Sequence, residues 1–79
     1  EEEDLLELIS GRERIVQVRR AVAERLTDQE RQVILLRYGL TGQPPCRQRE
    51  VAQQLGISRS YISRIEKRAL GKLRQAFEE

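Results

Sequence analysis

Four interruptions in the hydrophobic pattern limit what this chain can fold into. They fall at Ser10-Gly11, at Thr27-Asp28, across Gly39 to Cys46, and at Gly56-Ile57-Ser58. Between them apolar residues return every three or four positions, the period of a helix face, and no stretch alternates apolar with polar residues as a strand would. Ser10-Gly11-Arg12-Glu13 and Thr27-Asp28-Gln29-Glu30 both match a capping box, in which hydroxyl and carboxylate each satisfy a free backbone N–H. Gly39 stands where a left-handed residue ends a helix, and Pro44-Pro45 cannot continue one. Gly56 ends the next short segment, and Ser58 is a good N-cap for the last. The pattern predicts an all-α chain, a small helical domain with helices near 12–26, 28–38, 47–55 and 59–77. Ile15, Val18, Val22 and Leu26 share one face of the first helix; Ile62, Ile65, Ala69, Leu73 and Phe77 share one face of the last. That last helix would be roughly 28 Å long, with Gly71 weakening its final third. Ahead of it all, the acidic start Glu1–Asp4 and Leu5, Leu6, Leu8 and Ile9 read as a linker or leading helix over 1–11. A single helix running through Gly11 competes with that reading, at a cost of about 1 kcal/mol.

Composition excludes most chemistry. A chain of 79 residues makes one domain and buries only roughly 60% of its unfolded surface, which leaves little room for a deep substrate cavity. There is no histidine and a single cysteine, Cys46. An intramolecular disulfide, a Cys-based zinc site, a His metal cage and a Ser-His-Asp triad are therefore all ruled out. Neither a nucleophile–base pair nor a metal constellation remains, so no enzyme, catalytic residue, metal or cofactor is expected. Cys46 reads as a bystander in a loop. No apolar run approaches the ~18 residues that span a bilayer, and no signal-peptide pattern opens the chain. The lack of an initiator Met suggests a piece of a longer protein. The expectation is a soluble, cytoplasmic binding module with no membrane partner.

Charge gives that module a side. The net charge of +2 divides into −2 over residues 1–40 and +4 over residues 41–79. A basic C-terminal half points to a polyanion on one side of the domain, although solvation of a long helix would need the same residues. The segment from Gln48 to Lys67 chooses between them. Two helices joined by a short Gly-containing turn are a helix-turn-helix. Ala52 is small where the helices cross, Gly56 takes positive φ at no Cβ cost, and Val51, Leu55, Ile57, Ile62 and Ile65 fill the wedge. Arg59, Ser60, Ser63, Arg64, Lys67 and Arg68 then form one outward strip of basic and hydroxyl groups. Such a strip suits a helix in the major groove of duplex DNA: its start meets base edges, its later cations meet phosphates. An ordinary αα-hairpin with solvated cations is the competing reading.

The residues Arg37-Tyr38-Gly39-Leu40, Gln48-Arg49-Glu50-Val51-Ala52 and the run Leu55 to Leu70 resemble the C-terminal domain, region 4, of bacterial RNA polymerase sigma factors. Ile57 to Leu70 is most similar to the sporulation sigma-E and sigma-K group. The resemblance covers about residues 12–77. It implies region 4.1 helices over 12–38 and a region 4.2 helix-turn-helix over 47–77, preceded by a linker. It also implies promoter recognition in transcription initiation, with the −35 element of double-stranded DNA and the β-subunit flap of the polymerase core as partners, in the cytoplasm at the nucleoid. An anti-sigma factor or other regulator is a further implied partner. Carried over by position, Arg59, Ser60, Ser63 and Arg64 fall where bases are read. Arg37, Arg47, Gln48, Lys67 and Arg68 fall where phosphates are met. Arg47 stands where the family commonly has a capping Thr. Ser60 and Arg64 replace the Glu and Gln of housekeeping sigma factors, so the housekeeping −35 sequence does not carry over.

Several residues keep two readings. Arg37 is a phosphate contact or the ion-pair partner of Glu50 or Glu66. Tyr61 packs against the motif or stacks on a base, and Arg49 is a solvated side chain or a handle for a regulator. Val33, Ile34, Leu35 and Leu36 are four successive apolar residues, more than one helix face can bury. They form the expected groove for the flap, against the alternative of a helix buried on both sides. At the level of function, a stand-alone helix-turn-helix regulator and a domain that mainly holds polymerase or an anti-sigma factor are the alternatives.

Overall fold

Several helix ends fall where the sequence supplies a partner for free backbone groups. The structure, a computed structural model, describes residues 12–78. It consists of α1 (Arg12–Arg25), α2 (Asp28–Tyr38), α3 (Gln48–Leu55) and α4 (Arg59–Glu78), with no strand among the described residues. The Ser10 cap and the leading segment 1–11 lie outside the described residues. Thr27 caps α2 as its sequence predicts: its Oγ1 accepts from the Glu30 N–H at 3.2 Å, and Glu30 Oε1 accepts from the Thr27 N–H at 2.9 Å. Gly39 takes a left-handed conformation, φ 62°, and Gly56 another, φ 71°. Ser58 Oγ accepts from the Tyr61 N–H at 3.1 Å and so caps α4.

Arg31 closes the end of α1 from the neighbouring helix. Its Nε donates to the Val22 carbonyl at 3.1 Å, and Nη2 donates to those of Ala23 and Leu26, each at 3.0 Å. Carbonyls at a helix C-terminus have no partner within the helix, and a guanidinium fork can serve several at once. The link fixes the angle at which α1 meets α2.

The core is divided into two clusters by α2. On one side Ile34 packs with Val18, Ala21, Val22 and Leu26 of α1 and with Ala69, Leu70 and Leu73 of α4. On the other, Val33 packs with Val51 and Ala52 of α3 and with Ile62 and Ile65 of α4. Long α4 serves both clusters, its first half against α3 and its second against α1. This arrangement corrects the expectation for the apolar run. Val33 and Ile34 are completely buried, each in a different cluster, and cannot line a surface groove. Leu35 and Leu36 are half-buried, one against each cluster. Four successive apolar residues are accommodated because α2 has neighbours on both flanks. Ile15 also departs from expectation, remaining 40% exposed; α1 reaches the core only from Val18 onward.

Glu30 is the less usual member of this interior, its side chain only 1% exposed. Lys72 Nζ of α4 lies 2.8 Å from Oε1, while Oε2 accepts no hydrogen bond and has Arg68 Nη1 at 3.9 Å. Burial by itself pushes the carboxyl's pKa up. The hydrogen bond from Lys72, the Thr27 N–H and the Lys72 charge outweigh that and hold it below the ordinary carboxylate value. A lowered folded-state pKa means stability that is present above the ordinary carboxylate range and is lost as pH falls through the folded value. Glu30→Gln should therefore destabilise the domain at neutral pH, with the gap to wild type narrowing in acid. Denaturant melts across a pH series check this; a gap independent of pH would remove the carboxylate's charge as its source.

Two glycines provide opposite tests of the backbone. At Gly39 an added Cβ would run into the Gln43 carbonyl oxygen and lie 3.1 Å from Pro45 N, at a positive φ. Gly71 lies within α4 with nothing within 4 Å of such an atom. Gly39→Ala should cost upwards of about 1 kcal/mol, whereas Gly71→Ala should stabilise by roughly 0.5–1 kcal/mol. Thermal denaturation of the two variants measures both signs.

Candidate nucleic-acid interface

The two helices of the motif present their polar residues because their apolar residues are fully used. Val51 and Ala52 of α3 and Ile62 and Ile65 of α4 are buried against each other and Val33. The turn is tied by the Gly56 and Ile57 N–H groups, both donating to the Ala52 carbonyl, at 2.9 and 3.1 Å. With α4 held in this rotation, Arg59, Ser60, Arg64 and Lys67 are exposed and Ser63 is half-buried. With Arg68, also exposed, five of the six strip residues thus face solvent. Ser60 Oγ lies 3.3 Å from Ser58 Oγ. Arg64 lies over the Tyr61 ring, its Cζ 5.9 Å from the centroid.

What fixes the rotation is Glu66, on the inner side of α4 with its side chain 6% exposed. Its Oε1 accepts from Arg37 Nε at 2.8 Å and from Gln48 Nε2 at 3.0 Å. Its Oε2 accepts from the Tyr38 hydroxyl at 3.2 Å and from Arg37 Nη2 at 3.4 Å. Arg37 Nη1 donates in addition to the Cys46 carbonyl at 3.0 Å. One carboxylate therefore gathers the end of α2, the start of α3, the intervening loop and the middle of α4. Arg37 and Gln48 are turned to this carboxylate while both stay partly exposed. Of the two readings of Arg37, the ion pair with Glu66 is the one the structure adopts.

Arg47 precedes α3 and contributes no cap, since a guanidinium has no acceptor. Its N–H donates instead to Glu50 Oε1 at 2.7 Å, the surviving half of a capping box. The Arg47 side chain is thereby left to the surface, where it joins Arg37, Gln48, Arg49 and Arg59 around an open basin of about 550 Å³. This basin lies between the starts of α3 and α4. It gathers Arg47, Arg49 and Arg59, all exposed, at the N-terminus of α3, where helix geometry and charge both favour an anion. Arg49, which the sequence leaves as a solvated side chain or a handle for a regulator, lines this basin. Arg68, one turn beyond Arg64, is also exposed, with its Nη1 3.9 Å from Glu30 Oε2.

Glu66 and Glu30 escaped the sequence reading as organisers of the site, although a signal for Glu66 exists. It shares the helical face of Ile62, Ala69 and Leu73, and a charge on an apolar face requires buried partners. Among the described residues no group of three acidic, Cys or His side chains is placed to hold a metal ion. No helix there is long and apolar enough to cross a membrane.

Comparison with known proteins agrees with this geometry. Residues 22–75 match the family model described as sigma-70, region 4. The chain is 44% identical over 77 residues to the RNA polymerase sigma-K factor of Bacillus subtilis, covering 98% of this chain and 26% of that protein. It is 50% identical over 52 residues to the sigma-E factor of Clostridium acetobutylicum, covering 66% of this chain and 22% of that protein. It is 42% identical over 77 residues to the sigma-28 factor of Bacillus thuringiensis, covering 98% and 32% respectively. The chain thus spans about a fifth to a third of the length of these three relatives. No solved structure gives a significant match.

The Glu66 seam generates a direct test. Removing a buried ion-pair partner costs about 3–5 kcal/mol; Arg37 keeps a quarter of its side chain exposed, so the lower part of that range applies. Glu66→Ala should destabilise accordingly, and a double-mutant cycle with Arg37→Ala should return a coupling of about 1–3 kcal/mol. Equilibrium denaturation measures the cycle, and additive losses would mean that the pair does not act as a unit.

Proposed function

Since the chain belongs to the sigma-70 region 4 family, we propose that it serves in promoter recognition during transcription initiation, reading the −35 element as part of RNA polymerase holoenzyme. On this reading α1 and α2 are region 4.1, α3 and α4 are the region 4.2 helix-turn-helix, and the chain acts at the nucleoid in the cytoplasm. The role is one of binding rather than catalysis. The observation that carries it is the strip on α4: Arg59, Ser60, Arg64 and Lys67 exposed together on a helix whose rotation a buried carboxylate fixes. Arg59, Ser60, Ser63 and Arg64 lie in the first turns, which meet base edges when such a helix enters the major groove. Lys67 follows one turn later and meets a phosphate. The basin cations Arg47 and Arg49 take the backbone beside the start of α3.

The sporulation-type sigma factors among the relatives set the expected class of promoter. Within holoenzyme the domain rests on the β-subunit flap. Leu35 and Leu36 are the members of the apolar run that reach the surface to contribute there. A domain with a net charge of only +2 and a single reading helix binds DNA weakly alone and gains affinity by being held near its site.

The test separates reading from holding, in reconstituted holoenzyme carrying the full-length chain. Arg64→Ala should flatten discrimination at one or two −35 positions, by about 1–3 kcal/mol per lost bidentate contact. Lys67→Ala should weaken all promoters alike and lower the salt slope by about one unit. Binding across −35 point variants and a salt series measures both. If Arg64→Ala weakens every variant equally, the residue clamps the backbone and does not read.

A further inference from the structure

Arg64 lies on an aromatic face, as Arg14 and Arg37 also do, and is the one of the three that stands on the outward strip of α4. Arg31 is spent on the carbonyls of α1, Arg37 on Glu66, and Arg68 leans toward Glu30. Arg59 borders the basic basin. Among the described residues Arg64 has no carboxylate partner; its contact is with the face of Tyr61, at 5.9 Å. Tyr61 in turn is one of three large hydrophobic residues left at the surface among the described residues, 36% exposed, and belongs to neither core cluster. An exposed aromatic on the reading helix, absent from the core, is not explained by folding. Its backbone is fixed, since its N–H is bound by Ser58 at the helix start.

We propose that Tyr61 is a positioning residue for Arg64, a platform that aims the guanidinium and thereby sets base discrimination at the pair Arg64 contacts. The inference rests on the reading of Arg64 given above. Residues three apart on a helix are surface neighbours, so the ring and the guanidinium meet without distorting α4. A guanidinium lying on an aromatic face keeps its edge N–H groups directed away from the ring, and the edge is what forms two parallel hydrogen bonds to a guanine. A free Arg side chain samples many rotamers and loses that freedom on binding. One already resting on a ring loses less, and the advantage is realised only where the aimed contact is made. The ring, not the hydroxyl, provides the platform.

The experiment uses holoenzyme carrying the full-length chain and a panel of −35 point variants, comparing Arg64→Ala, Tyr61→Phe, Tyr61→Leu and the double variant Arg64→Ala/Tyr61→Leu. An exposed cation–π contact corresponds to about a two- to fivefold effect. Tyr61→Leu should therefore flatten discrimination by about two- to fivefold, at the same base pair as Arg64→Ala and nowhere else. Tyr61→Phe should match wild type, and the double variant should be no worse than Arg64→Ala alone. Thermal melts of Tyr61→Leu should stay close to wild type, because the ring is outside both core clusters. Equal weakening of all promoters by Tyr61→Leu would overturn the proposal, as would loss of discrimination in Tyr61→Phe or an additive double variant. If Arg64→Ala itself leaves discrimination intact, the reading of Arg64 has failed. If Arg64→Ala flattens it and Tyr61→Leu does not, only the platform has failed.

Discussion

The carboxylate of Glu66 lies in a seam from which water has been removed, and every donor that replaces water comes from another element of the fold. Arg37 and Tyr38 arrive from the end of α2 and Gln48 from the first turn of α3. A buried ion costs several kcal/mol unless its lone pairs are filled, so these four segments can come together in only a few ways. Apolar packing alone would not restrict them so tightly, because Val, Ile and Leu surfaces tolerate small rotations at little cost. The seam therefore sets the rotation of α4 about its own axis. A helix rotated by one residue would carry Arg59 and Arg64 off the outer face.

Stability and direction come from different parts of α4. Its inner face supplies Ile62 and Ile65 to one cluster and Ala69, Leu70 and Leu73 to the other, which attaches the helix to both halves of the domain. Two buried carboxylates, Glu66 and Glu30, stand along the path between those clusters, each paired to cations of a different helix. Arg37 and Lys72 are engaged by these carboxylates, while Arg47, Arg49, Arg59, Arg64 and Lys67 are exposed.

The sigma-factor relatives give this division a use. A domain that holds its reading helix by interior ion pairs can vary the outer residues without disturbing the fold. Ser60 and Arg64 sit on the exposed side of α4, where substitution leaves both clusters intact. The basin at the start of α3 belongs to the same logic. Arg47 cannot cap that helix, but its guanidinium is free to face outward because Glu50 takes over the backbone N–H.

The helix boundaries, the turn at Gly56, the cap at Ser58 and the outward strip were legible in the residues themselves. Each depends on groups a few positions apart, as Thr27 with Glu30 or Ser58 with Tyr61, and local geometry follows from local sequence. The fate of Val33 and Ile34 was not legible, because a run of four apolar residues fits a buried helix and an exposed groove equally well. It was decided by neighbours on both flanks of α2. Nor was the choice of Glu66 for Arg37, or of Lys72 for Glu30: these partners are separated by 29 and 42 positions. Spacing along a chain carries no information about such pairs. They form only when packing brings the charges together and the loss of water obliges each to find an opposite.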